Sequence, residues 1–137
     1  MSGLHAFHLL VLGFWGGVIL VEVLFEGAGL AGKLEPKAVA LLHRWTDRYL
    51  EIPLLIAIIT SGAVLWSRAG WSPALLPKVA AGLGAIAANA VCVVFVERRA
   101  RSQTPQDHTR SVVWTAAPGF PLGIAALILG GFRANWW

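Results

Sequence analysis

Four apolar runs of about twenty residues, separated by short basic connections, leave this chain very few architectures. A helix crosses the hydrocarbon of a bilayer in about 20 residues. The runs at about 4–30, 48–68, 76–96 and 111–132 each reach that length. Hydrocarbon offers no water to exposed amides, so only helices and closed barrels cross it. Strand-like alternation of apolar and polar residues is absent, and a barrel needs at least about eight strands. The sequence therefore predicts an all-α, integral membrane four-helix bundle, with residues 1–137 forming a single transmembrane domain. Composition agrees: 57% of the 137 residues are hydrophobic and 13% charged, where a soluble domain carries about a quarter charged.

Lys and Arg set the expected orientation. The first and third connections hold Lys33, Lys37, Arg44, Arg48, Arg98, Arg99, Arg101 and Arg110, against Arg68, Lys78 and Arg133 on the other side. Both longer connections are thus expected in the cytoplasm and both termini outside, in the periplasm of a bacterial inner (plasma) membrane. Trp66, Trp71, Trp136 and Trp137 would form an outer aromatic belt, with Trp45 and Trp114 near the inner interface. The net charge of +4 is explained by this asymmetry, and the expected partner is the lipid bilayer rather than nucleic acid. The first run has no basic n-region, exceeds the 7–15 apolar residues of a signal peptide and contains Glu22, so it is read as a retained helix.

Packing signals accompany the spans. Gly13-xxx-Gly17 and Gly119-xxx-Gly123 are small-residue pairs that let helix backbones approach closely, and they suit a homodimer or a larger membrane complex. Pro36 is expected to open an interfacial helix leading into the second span. Pro53, Pro118 and Pro121 should kink or open their helices. Cys92 lies in an apolar run, without the spacing of a disulfide or a metal motif, and reads as packing.

Ionisable side chains in hydrocarbon are costly and usually mark function. On the first span His8, Trp15, Glu22 and Glu26 fall along one helical stripe. The orientation separates an outer layer (His5, His8 and Lys78) from an inner one (Glu22, Glu26, His43, Arg44, Asp47, Arg48 and Glu51), with Asn89 between them. A neutral imidazole binds haem iron, copper or zinc, which makes His8 the first candidate ligand, with His5 beside it for a metal. Lys78 is a candidate second ligand or charge partner, or a residue snorkelling to headgroups. Glu22 and Glu26, neighbours at i,i+4, are candidate proton-handling acids, or salt-bridge partners of Arg44 and Arg48. His43, and the face formed by Arg44, Asp47, Arg48 and Glu51, read as water-accessible at the membrane interface. Nucleotide-binding and hydrolase motifs are absent.

The pattern His8-Leu-Leu-Val-Leu-Gly-Phe-Trp15-Gly-Gly17 resembles the first helix of HemJ-type protoporphyrinogen IX oxidases. Trp71-Ser-Pro-Ala-Leu-Leu-Pro-Lys78-Val-Ala-Ala-Gly-Leu is similar to the opening of that family's third helix. The His-to-Trp spacing also resembles CopD-like copper-resistance membrane proteins. The first resemblance implies haem b held by His8 and Lys78; Trp15 and Asn89 are the further residues expected to line the cofactor. It also implies electron and proton transfer to or from a porphyrin or quinone, as in a membrane oxidoreductase. Where that family carries a Pro-Arg-Leu-type segment, this chain has Val21-Glu22-Val-Leu-Phe-Glu26. The second resemblance implies copper at His5 and His8. A non-catalytic subunit or assembly factor of a membrane complex is the third expectation.

Overall fold

A computed structural model describes residues 2–70 and 72–131. Trp71, Arg133, Trp136 and Trp137, which the sequence assigns to the outer belt and its flank, lie outside the described residues. Four helical stretches are long and apolar enough to cross a membrane: Gly3–Leu30, Pro36–Ala69, Leu76–Arg101 and Pro105–Leu129. Among the described residues there is no strand.

Helix α1 (Gly3–Leu30) starts at Ser2, whose hydroxyl accepts the backbone N–H of His5. It ends where Gly32 takes φ +70°, while the N–H groups of Gly32 and Lys33 bond back to Gly29 and Ala28. This reversal satisfies the last carbonyls and favours glycine, which has no Cβ to clash. Helix α2 (Pro36–Thr46) has proline in its first turn and runs into α3 (Ile52–Ala69) through one π-helical turn, Asp47–Glu51. The wide turn has a local cause. Pro53 has no N–H for the carbonyl four residues earlier, and its ring pushes that carbonyl aside. The second span therefore extends back to Pro36 as one continuous rod of 34 residues.

Helix α4 (Leu76–Arg101) follows a short 3₁₀ turn at Pro73–Leu75. The last stretch opens with a 3₁₀ turn at Pro105–His108 and is broken into α5 (Thr109–Ala116) and α6 (Gly119–Gly131). The break falls at Pro118, where the helical hydrogen bond is missing.

Helix α1 packs on α2 and α3, and α4 packs on α2, α5 and α6. Trp15 joins the two halves, since a Cβ added at Gly123 would lie 3.4 Å from its ring. Gly84 and Gly119 likewise let α4 and α6 approach. Gly13 and Gly17, in contrast, meet nothing within 4 Å and line an apolar groove on the outside of α1.

The distribution of polarity is inverted relative to a soluble protein. Phe14, Leu24, Ile56 and Leu83 are each more than half exposed, while Asp47, Glu51 and Arg99 are among the most deeply buried side chains. An apolar exterior around a polar interior is stable where the surroundings are hydrocarbon. The four spans and this inversion together fit a multi-pass membrane protein. An apolar core of Val11, Trp15, Leu55, Ile58 and Ala85 sits beside the polar interior, and Cys92, Val96 and Val112 form a second apolar cluster.

Candidate metal centre

Six buried ionisable groups converge where α1, α2, the π turn and the end of α4 meet. Helix α1 supplies Glu22 and Glu26, one turn apart; α2 supplies His43; the π turn supplies Asp47 and Glu51; α4 supplies Arg99. All six are more than nine-tenths buried. An α-helical step of four residues slightly overshoots a full turn, whereas the wider π turn makes the same step fall short. The π turn therefore keeps His43, Asp47 and Glu51 aligned on one inward stripe.

The hydrogen bonds give each group a distinct position. His43 donates Nδ1–H to Oε1 of Glu26 at 2.8 Å, and the same oxygen accepts Nη1 of Arg99. Trp15 donates Nε1–H to Oε1 of Glu51 at 2.9 Å. With Nδ1 engaged, Nε2 of His43 faces Oε2 of Glu22 at 3.6 Å and Oδ1 of Asp47 at 3.8 Å. Those separations are too long for hydrogen bonds. They match two donors on one tetrahedral ion, which at bond lengths of about 2.1 Å sit about 3.4 Å apart. Donor atoms of Glu22, His43 and Asp47 all lie within 4.8 Å of one another.

Several of these atoms lack partners in the protein. Oε1 of Glu22, Oε2 of Glu26 and both carboxylate oxygens of Asp47 are buried without a hydrogen-bond donor. Buried polar groups are nearly always satisfied, so this concentration of acceptors around one imidazole calls for added protons or positive charge. Charge leads to the same conclusion. Four buried carboxyl groups face one guanidinium and one imidazole, and an uncompensated charge in such a place costs several kcal/mol. Bound protons or a cation would supply the balance.

The sequence-predicted residues divide into two groups. Glu22 and Glu26 belong to this centre, but the guanidinium on Glu26 is that of Arg99. Arg44 and Arg48 instead bind Glu97, at 2.9 and 3.1 Å. His43, Asp47 and Glu51, expected at the solvated interface, are buried because the rod continues through them into the bundle. Trp15 reaches the centre through Glu51. Asn89 is buried on α4 with Nδ2 unpartnered. Cys92 is a buried free thiol placed to donate weakly to the Val112 carbonyl, in keeping with packing.

The other predicted residues lie toward the N-terminal end of α1, away from the centre. Nδ1 of His8 lies 2.7 Å from the hydroxyl of Ser61, and that hydroxyl donates to the Ala57 carbonyl at 2.6 Å. A hydroxyl has one hydrogen, so the network assigns the proton between His8 and Ser61 to Nδ1. In the neutral imidazole Nε2 of His8 is then the acceptor nitrogen. Lys78 and His5 lie near enough to act on His8 electrostatically. His5 itself bonds Ser2 through Nδ1 at 2.7 Å.

Arg99 was legible only as a topology-setting cation, and nothing in its local sequence distinguishes it from Arg98. The spacing of His43, Asp47 and Glu51, four residues each, is the signal that could have revealed the stripe. No family model, curated protein or solved structure matches the chain.

Proposed function

We propose that this protein binds a divalent transition-metal ion inside a membrane, between Glu22, His43 and Asp47. The observation that carries the reading is the imidazole of His43: Nδ1 is fixed by Glu26, and Nε2 faces two carboxylates at ligand-to-ligand separations. A carboxylate behind a metal-binding histidine sets its tautomer and strengthens it as a ligand, and Glu26, itself held by Arg99, occupies that position. Glu51, beside Asp47, is engaged instead by the Trp15 indole.

The donor set favours borderline and hard ions such as zinc, manganese, iron(II) or cobalt. Copper(I) prefers thiolate and thioether ligands, and neither is among these donors. Metal handling, expected at His5 and His8, is thus better supported at the opposite end of α1.

Cobalt titration of the chelator-treated protein in mild detergent tests this reading. Tetrahedral visible bands that zinc abolishes are expected, lost in His43→Gln and Asp47→Asn but kept in His5→Ala and His8→Ala. Absence of any cobalt spectrum, together with no divalent metal in the purified protein, would overturn it.

A separate observation favours a second reading, haem b at the other end of the bundle. The tautomer that Ser61 imposes on His8 presents the Nε2 lone pair that an axial ligand needs, and Lys78 lies nearby. Haem would supply the electron-transfer chemistry; this chain would hold it through His8 and offset its charge through Lys78. A Soret band that disappears in His8→Ala and survives His43→Gln is the expected result. Purified protein lacking that band after haem supplementation removes this reading and leaves the metal centre untouched.

A further inference from the structure

We propose that the arginine-lined groove beside the metal centre is a binding site for an anionic phospholipid. The groove encloses about 450 Å³ between the start of α3 and the end of α4. Arg44, Arg48, Arg98 and Arg101 line it, with two carboxylates among the described lining residues, Glu97 and the deeply buried Asp47.

Glu97 collects three of the four guanidiniums. Arg44 and Arg101 each reach it through Nε, at 2.9 and 2.7 Å, and Arg48 through Nη2, at 3.1 Å. One negative charge cannot neutralise three positive ones, yet it holds them together. Each guanidinium carries five N–H donors, so most donors remain for another acceptor. A phosphodiester suits such a cluster, because its oxygens take paired N–H groups from planar guanidiniums.

The remaining wall identifies the rest of the ligand. Ile52, Val93 and Val94 line the groove, and Ile52 and Val94 are exposed. This wall is continuous with the apolar exterior of α3, where Ile56 and Ile59 are also exposed. A phosphate among guanidiniums, joined to a hydrocarbon chain against isoleucine and valine, is an anionic phospholipid. The cluster stands at the basic end of the bundle, where headgroup recognition between membrane helices takes this form.

The test is native mass spectrometry of the full chain released from vesicles of equal parts phosphatidylglycerol and phosphatidylcholine with matched acyl chains. Retained phosphatidylglycerol in clear excess is expected. Arg48→Gln with Arg101→Gln should lower that excess about tenfold, while Lys33→Gln with Lys37→Gln, on the same side of the membrane, should leave it in place. Both arginines are exposed, and an unchanged elution profile establishes that the variant is folded. Equal retention of the two lipids would overturn the proposal, as would an excess indifferent to the arginine pair. Binding of inorganic phosphate without lipid would assign the cluster to a soluble anion. Displacement of the lipid only by an acidic peptide would assign it to a protein partner. Either result would overturn the lipid proposal.

Discussion

His43 and Glu26 are joined by an Nδ1–H···Oε1 bond of 2.8 Å, and Arg99 binds the same carboxylate oxygen. Glu26 therefore performs two tasks: it orients the imidazole and compensates a buried guanidinium. The two tasks separate by substitution. Glu26→Gln keeps an acceptor for both His43 and Arg99 but removes the charge behind each, and should weaken divalent-ion affinity about 10–100-fold. Glu26→Ala removes the acceptor as well, leaves Arg99 with no partner at that position, and should cost about 3–5 kcal/mol of stability. Cobalt titration reads the first effect and thermal unfolding in detergent the second. Equal stability of the alanine variant and the native chain would contradict the role given to Arg99.

Asp47 has no hydrogen-bond donor on either oxygen, which makes it a liability whenever no ion is bound. Asp47→Asn replaces one lone acceptor by an amide donor that can face the neighbouring carboxylates. In the presence of chelator this variant should be more stable than the native chain by about 1–3 kcal/mol. Saturating metal should reverse the order, because only the native chain gains binding free energy. Melting temperatures measured with chelator and with excess zinc check both halves. The same order under both conditions would count against the centre.

The span pattern was legible because hydrocarbon imposes one length and one backbone solution on every crossing segment. The effect of Pro118 was legible for a similar reason, since a missing N–H breaks a helix wherever it occurs. The polar interior was only half legible. Glu22 and Glu26 stand out because acids within a long apolar run are rare. His43, Asp47 and Glu51 are interleaved with Arg44 and Arg48, and a mixed charged segment normally belongs in water. Their burial depends on the π turn before Pro53, which keeps the acids and the histidine on one stripe. It depends equally on Glu97, 49 residues after Arg48, which draws the arginines to another face. Neither cause is local in sequence. Periodicity alone therefore assigned the segment to the interface.

Trp15 contributes a hydrogen bond to Glu51 and a ring packed against Gly123. Trp15→Phe retains most of the packing and removes the donor. A loss of about 1–3 kcal/mol follows from leaving a buried carboxylate oxygen unpaired. Glu51→Leu in the same background should recover part of it, since both polar partners are then gone. Unfolding of the two single variants and the double variant completes the cycle, and strict additivity would show that the bond contributes nothing.

The glycines of α1 provide a test of the packing that holds the centre in place. A Cβ at Gly29 would lie 2.9 Å from Cγ2 of Val39, a side chain with no exposed surface. Valine is stiff at χ1, so Gly29→Ala must push α1 and α2 apart. That pair of helices carries Glu22, Glu26 and His43. The substitution should therefore cost about 1–3 kcal/mol and weaken metal binding together with stability. Val39→Ala should restore both, because it removes the atom in the way. Gly17, with nothing within 4 Å, is the control: Gly17→Ala should be neutral, or stabilising by up to about 1 kcal/mol through helix propensity. Thermal unfolding and cobalt titration of these three variants locate the contact. A Gly29→Ala protein that unfolds and binds like the native chain would show that the close approach of α1 and α2 does not position the centre.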